Sequence, residues 1–167
     1  MGTKHYMPTF KPKQTIYGTI GQASIAATDL TTFNGWLYLL LLQEGGGGAE
    51  GTISGTLTTI IYKTGWTGNK GKFKIFRDDG TKYLHIWTGP EVELGSGLGS
   101  ITGLSVAVQA GDYLAFYHTL GGSMCFVSRT NAVKYYNTPN VDLQVDTPKT
   151  SWSYWSDSIA IGGIIEG

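Results

Sequence analysis

The residues of this chain that can move a proton, hold a metal or attack an electrophile are few and scattered. Its three histidines, His5, His85 and His118, share no metal-ligand spacing. The single cysteine, Cys125, excludes an internal disulfide and a multi-cysteine metal centre. It sits in Ser123-Met-Cys-Phe-Val-Ser128, where a thiol reads as a small buried side chain of a strand and not as a nucleophile. Hydrolytic chemistry needs a base beside a nucleophile or two carboxylates held across a cleft. The acids Asp78, Asp79, Asp112, Asp142 and Asp146 fall mostly in turn-like sequence, where carboxylates serve backbone amides. A glycoside-active pair assembled by the fold from distant acids stays open as an alternative. Calcium would find oxygen ligands in Asp142 and Asp146 or in the Asp78-Asp79 turn, but not the ligand density of a calcium loop. Gly71-Lys72 is no phosphate-binding loop, because Phe73 follows it where Ser or Thr is needed and Trp66 stands where the first glycine belongs. No catalytic residue, metal or cofactor is therefore assigned, and the protein is expected not to be an enzyme.

What remains is aromatic surface. Tyr83 and Trp87 flank His85, Tyr135 and Tyr136 precede a proline turn, and Trp152, Tyr154 and Trp155 lie among serines. Exposed on a rigid scaffold, such rings bury area against a protein partner or stack on the apolar faces of sugars. Tyr83, His85, Trp87, Trp152, Tyr154 and Trp155 are the candidate binding residues. Charged residues make up 14% of the chain and the formal net charge is zero, so no field draws in nucleic acid or an anionic membrane.

The elements that must position these side chains read as strands. Lys72-Phe-Lys-Ile-Phe-Arg77 and Thr81-Lys-Tyr-Leu-His-Ile-Trp87 flank Asp78-Asp-Gly80, a strong hairpin signal. With Phe73, Ile75, Leu84 and Ile86 turned to the core, Lys72, Lys74, Tyr83, His85 and Trp87 share the outer face, which predicts a solvent-facing patch of aromatics and cations. Leu104-Ser-Val-Ala-Val108 and Tyr113-Leu-Ala-Phe-Tyr-His118 alternate about Gly111-Asp112, which predicts a sharp turn with Val106, Val108, Leu114 and Phe116 in the core. The stretch Val108-Gln-Ala-Gly-Asp-Tyr-Leu-Ala-Phe-Tyr117 resembles the Gly-Asp corner of jelly-roll sandwiches, among them C1q/TNF-like trimerising domains, viral and phage surface modules and carbohydrate-binding modules. The resemblance implies a jelly roll and transfers no functional residue.

No window of a dozen residues keeps a helical period, and 25 glycines with 13% aromatic residues suit a turn-rich all-β protein. The expected fold is an antiparallel two-sheet β-sandwich of the jelly-roll kind, one domain over residues 14–167. Residues 1–13, with Pro8, Pro12, Lys4, Lys11 and Lys13, read as an extended arm whose Tyr6, Met7 and Phe10 can be buried on a neighbouring subunit. Strands are expected at Gln14–Ile20, Ala23–Thr28, Thr52–Lys63, Ser123–Arg129 and Ser158–Ile165, the last beside the first. Trp36–Leu42 lacks polar alternation, so both its faces should be covered. Glu44–Gly51 and Pro90–Gly103 read as irregular loops, and Asn131–Lys149 as a looser region.

The longest apolar run is too short for a membrane helix, and no basic-then-apolar leader opens the sequence, so the chain is expected to be made in the cytosol and to stay there or leave by assembly or lysis. Two functional classes follow: a structural subunit that assembles with itself in a virion or at a cell surface, or a module that binds a glycan or receptor through its aromatics.

Overall fold

The alternating runs become strands, and in this computed structural model every ladder is antiparallel. The structure describes residues 14–22, 25, 29–33, 36–41, 47–65, 67–120 and 122–167, with backbone alone for 29–33, 120, 122–131 and 157–158. The arm with Tyr6, Met7 and Phe10, and most of the Ala23–Thr28 segment, lie outside the described residues.

In chain order the first strands are β1 (Tyr17–Gly21), β2 (Asp29–Phe33), β3 (Leu37–Leu40), β4 (Gly55–Thr64), β5 (Asn69–Asp78), β6 (Lys82–Thr88) and β7 (Val92–Leu94). They are followed by β8 (Gly97–Ile101), β9 (Val106–Val108), β10 (Asp112–Leu120), β11 (Gly122–Tyr136), β12 (Thr147–Pro148), β13 (Trp152–Ile159) and β14 (Ile161–Glu166). A 3-10 turn at Lys149–Ser151 is the one helical element among the described residues.

Sheet 1 runs β1, β14, β4, with β8 and β9 end to end along the far edge of β4. Sheet 2 runs β12, β6, β5, β10, β3, β11, with β13 on the outer edge of β11 and β2 in line with β3. Among the described residues one pair, Met124 with Thr64, joins the sheets. The chain crosses from one sheet to the other repeatedly, so β3-β10-β5-β6 lies over β1-β14-β4-β8, the winding of a jelly roll. Between the sheets lie Ile20, Leu57, Ile60, Val106, Ile161 and Ile165 from one side, and Leu40, Phe73, Ile75, Leu114 and Phe116 from the other. The sandwich and its expected core residues Val106, Val108, Leu114 and Phe116 are thus as the period-2 pattern requires.

Local chemistry explains the turns. Gly111 takes φ 92°, a left-handed conformation that side chains resist, and the Asp112 carboxylate accepts from the Gln109 amide at 2.8 Å. At the β5–β6 hairpin the Asp78 and Asp79 carboxylates accept from the amides of Gly80, Thr81 and Lys82. Gly71 is a strand residue and not part of a loop: a Cβ there would meet the Phe116 ring and the Tyr117 carbonyl, so glycine lets β5 and β10 close up.

Two loop expectations need correction and a third is refined. Pro90–Gly103 contains β7 and β8, short strands that pair with β5 and β4 and send Val92, Leu94 and Ile101 into the main core. The described part of Glu44–Gly51, residues 47–51, is a loop held in place, with Ala49 buried and bonded to Leu41 and Gly21 and Gly51 bonded to Gly111 and Asp112. Asn131–Lys149 is strand as far as Tyr136, after which residues 137–151 form a strap across the outer face of sheet 2.

Candidate functional site

The strap decides what the outer face of sheet 2 can do. Alternation sends Leu37 and Leu39 of β3, Phe76 of β5, Tyr83 of β6 and Ala115 and Tyr117 of β10 away from the main core, and all are buried. Leu143 from the strap and Trp152 from the start of β13 cover them, forming a second apolar core. Trp152 is its hub, with its ring edge-on to Phe76 at 5.6 Å, Tyr83 at 5.4 Å and Tyr136 at 5.5 Å. Its indole N–H donates to Thr147 Oγ1 at 2.9 Å, which satisfies its one polar atom. The run Leu37–Leu40 is buried on both faces because one face meets the sandwich core and the other meets this cover.

Within the cover lies the most chemistry-like cluster of the molecule. Lys74 on β5 is 0% exposed. Its ammonium donates to Thr88 Oγ1 at 2.8 Å and the Leu143 carbonyl at 2.9 Å, and pairs with Asp142 Oδ1 at 2.6 Å. Two hydrogen bonds and one ion pair compensate the buried cation. Lys72 donates to the other oxygen of Asp142 at 2.5 Å. Burial pushes the Lys74 ammonium below the usual lysine range, against the pull of Asp142. Partial burial works against the Asp142 carboxylate, but the hydrogen bonds from Lys72 and Lys74 hold it below its ordinary value. Thr88 Oγ1, which accepts from Lys74, also lies 2.7 Å from His85 Nε2, a hydrogen bond whose direction follows the imidazole tautomer. Burial, and then the Lys74 charge, lower the His85 pKa.

The same strap is fixed at its far end by Lys149 to Asp78 at 2.6 Å, by Asp146 accepting from the His85 amide at 3.0 Å, and by the short ladder of β12 on β6. Each polar member of this cluster therefore holds chain to chain. The predicted solvent-facing patch on β5 and β6 is corrected accordingly: Lys74 and Tyr83 are buried, and Lys72 and His85 lie half-buried beneath or beside the strap.

Trp87 leaves that face altogether. The β5–β6 register shifts between Ile75 and Phe76, so Trp87 pairs with Ile75, whose side chain points inward. It lines a small apolar cavity with Ile60, Phe73, Val92 and Leu104. Trp152, Tyr154 and Trp155 do not make one platform either. Trp152 and Tyr154 are on the face of β13 that looks toward the strap, whereas Trp155 points the other way, edge-on to Tyr135 at 6.0 Å. Tyr154 is 57% exposed, with the Lys134 ammonium 4.7 Å from its ring centre, and Trp155 is 40% exposed. Of the six candidate binding residues these two keep substantial open surface. Cys125 lies in β11, and its side chain is outside the described residues.

The outer face of sheet 1 is different in kind. Tyr17, Thr19, Thr59, Ile61, Lys63, Leu98, Ser100, Ile164 and Glu166 stand outward by strand alternation and pairing. Tyr17 is 66% and Leu98 69% exposed, and Ile164 is exposed between threonines. Shallow hollows lie at two places, one against Thr58, Thr59 and Ile164 and the other between Ile25, Ile61 and Leu98. Sequence inspection missed this surface because no single strand carries it. Its signal is the low charge of the outward positions of β4, β8 and β14 taken together.

Among the described residues no group of three or more His, Cys, Asp or Glu side chains is placed to hold a metal ion, and no helix is long and apolar enough to cross a membrane. No family model, no curated protein and no solved structure matches the chain.

Proposed function

We propose that this protein is a non-catalytic structural subunit that assembles with copies of itself, as a component of a virion or another surface assembly. The observation that carries this reading is the outer face of sheet 1, where among the described residues Tyr17, Leu98 and Ile164 stand exposed and Lys63 and Glu166 are the charged outward residues. Isolated exposed apolar residues are ordinary, but aligned on neighbouring strands they form a surface that water solvates poorly and a protein covers well. The engagement of the acids supports the non-catalytic part: Asp78, Asp112, Asp142 and Asp146 are paired with cations and Asp79 caps a turn. The jelly-roll winding and the Gly111-Asp112 corner fit the surface and trimerising modules that the sequence resembles, an analogy of fold. Light scattering behind size exclusion tests the reading. A mass of more than one chain at micromolar concentration is expected, and a monomer throughout the micromolar range would refute it.

Glycan or receptor binding is the second reading, favoured by Tyr154, an exposed ring backed by a cation. Its platform is one or two rings and not the six-residue patch. A tryptophan-fluorescence titration against a glycan panel, with Tyr154→Ala as control, distinguishes it from assembly.

A further inference from the structure

Resting on the assembly reading, we infer that the outer face of sheet 1 docks on the same face of a second copy across a two-fold axis. The argument is the self-complementarity of that face. Its strand order is β1, β14, β4, β8, and its two charged outward residues stand at diagonally opposite corners. At one corner Glu166 is paired with Tyr17 of β1 and with Thr56 of β4. At the other, Lys63 near the end of β4 is paired with Leu98 of β8. Along β4 these corners are seven residues apart, about 23 Å at the usual strand rise. Between them stand Thr59, Ile61, Ile164 and Ser100, all uncharged.

The two corners carry opposite charges, and each has an exposed apolar side chain beside a shallow hollow. The Lys63 corner has a cation and the exposed Leu98 side chain, which borders a hollow with Ile25 and Ile61. The Glu166 corner has an anion and a hollow floored by Thr58, Thr59 and Ile164 beside Tyr17. A two-fold axis lying in the interface, perpendicular to the line joining the corners, places each corner on its opposite. Leu98 of each copy then enters the hollow of the other, and Lys63 of each faces Glu166 of the other. Repeating every contact twice is the property of an isologous interface, and sheets stacked this way sit about 10 Å apart. A second copy is the occupant to which this pattern points, because the charges and the knob and hollow that match are on one surface.

The test compares the full chain with three variants by analytical ultracentrifugation, with thermal melting as the folding control. Leu98→Asp is expected to give a folded monomer. Lys63→Glu alone should weaken association roughly tenfold by setting like charges opposite each other, and Lys63→Glu with Glu166→Lys should restore it. That restoration cannot come from lost folding, since neither side chain lies in a core. If the unaltered chain is monomeric, the assembly reading itself fails. If it assembles but Leu98→Asp and Lys63→Glu leave the mass and affinity unchanged, assembly stands and this face is the wrong one. An assembly with an odd number of copies, or a double variant no tighter than Lys63→Glu, overturns the two-fold geometry.

Discussion

The two outer faces of the sandwich start from the same architecture and end in opposite states. Both belong to antiparallel sheets whose inner faces build the main core. On sheet 2 the outward positions are large and apolar, and the chain returns over them with a strap that adds Leu143, Trp152 and the Asp142 clamp. On sheet 1 the outward positions are mostly Thr, Ser, Ile and Gly, with Lys63 and Glu166 at opposite corners and Tyr17, Leu98 and Ile164 exposed. The difference shows how one chain divides its apolar surface. Where aromatic density is high the chain must cover itself, since a face made of Leu37, Leu39, Phe76, Tyr83 and Tyr117 would be insoluble if bare. Where small hydroxylated residues dilute the apolar ones, the face can stay open in a free chain and still serve as an interface.

Substitutions that act on one face and spare the other sharpen this contrast. Trp152→Ala should give the largest effect, a loss of about 3–5 kcal/mol in chemical denaturation, because it removes the ring on which Phe76, Tyr83 and Tyr136 pack. Leu98→Ala on the open face should stay within about 0.5 kcal/mol under conditions where the chain is monomeric. Equal losses would mean that the open face is covered in the free chain.

Breaking the clamp comes next. Asp142→Ala leaves the buried Lys74 ammonium without its counter-charge and should cost roughly 3 kcal/mol, the lower end for a severed buried pair, because Asp142 itself is partly exposed. Lys74→Met leaves Asp142 paired with Lys72 and should cost clearly less in the same denaturation experiment. The reverse order would show that the lysine matters through its packing and not its charge.

The smallest effect is a pH dependence. His85 titrates below its ordinary value of 6.5 in the folded chain, so between the two values the unfolded chain holds the extra proton. Its contribution is therefore complete above that ordinary value and is lost as pH falls through the depressed folded one. Replacing His85 with Gln should flatten the stability profile across that window. Asp142 acts at lower pH in the same sense, its contribution fading as pH falls through its depressed carboxyl value.

What the sequence by itself determined is local. Period-2 alternation placed the strands, Asp79 and Gly80 closed one hairpin, Gly111 with Asp112 closed another turn, and the unbroken apolarity of Leu37–Leu40 required cover on both faces. Neighbours a few residues apart cause each of these, so they are written in short stretches. The split of Tyr154 from Trp155 was legible too, since adjacent strand residues point to opposite faces. Tertiary structure alone decided which apolar face would be covered and by what. Lys72 and Asp142 meet across 70 positions, and no local pattern marks Lys74 as buried. One register shift between Ile75 and Phe76 turned Trp87 from the outer face to the inner, because a single extra residue reverses every side chain beyond it. The open face of sheet 1 exists only once β14, β4 and β8, far apart in sequence, lie side by side. Contacts of such range depend on the whole chain's packing, which no short segment encodes.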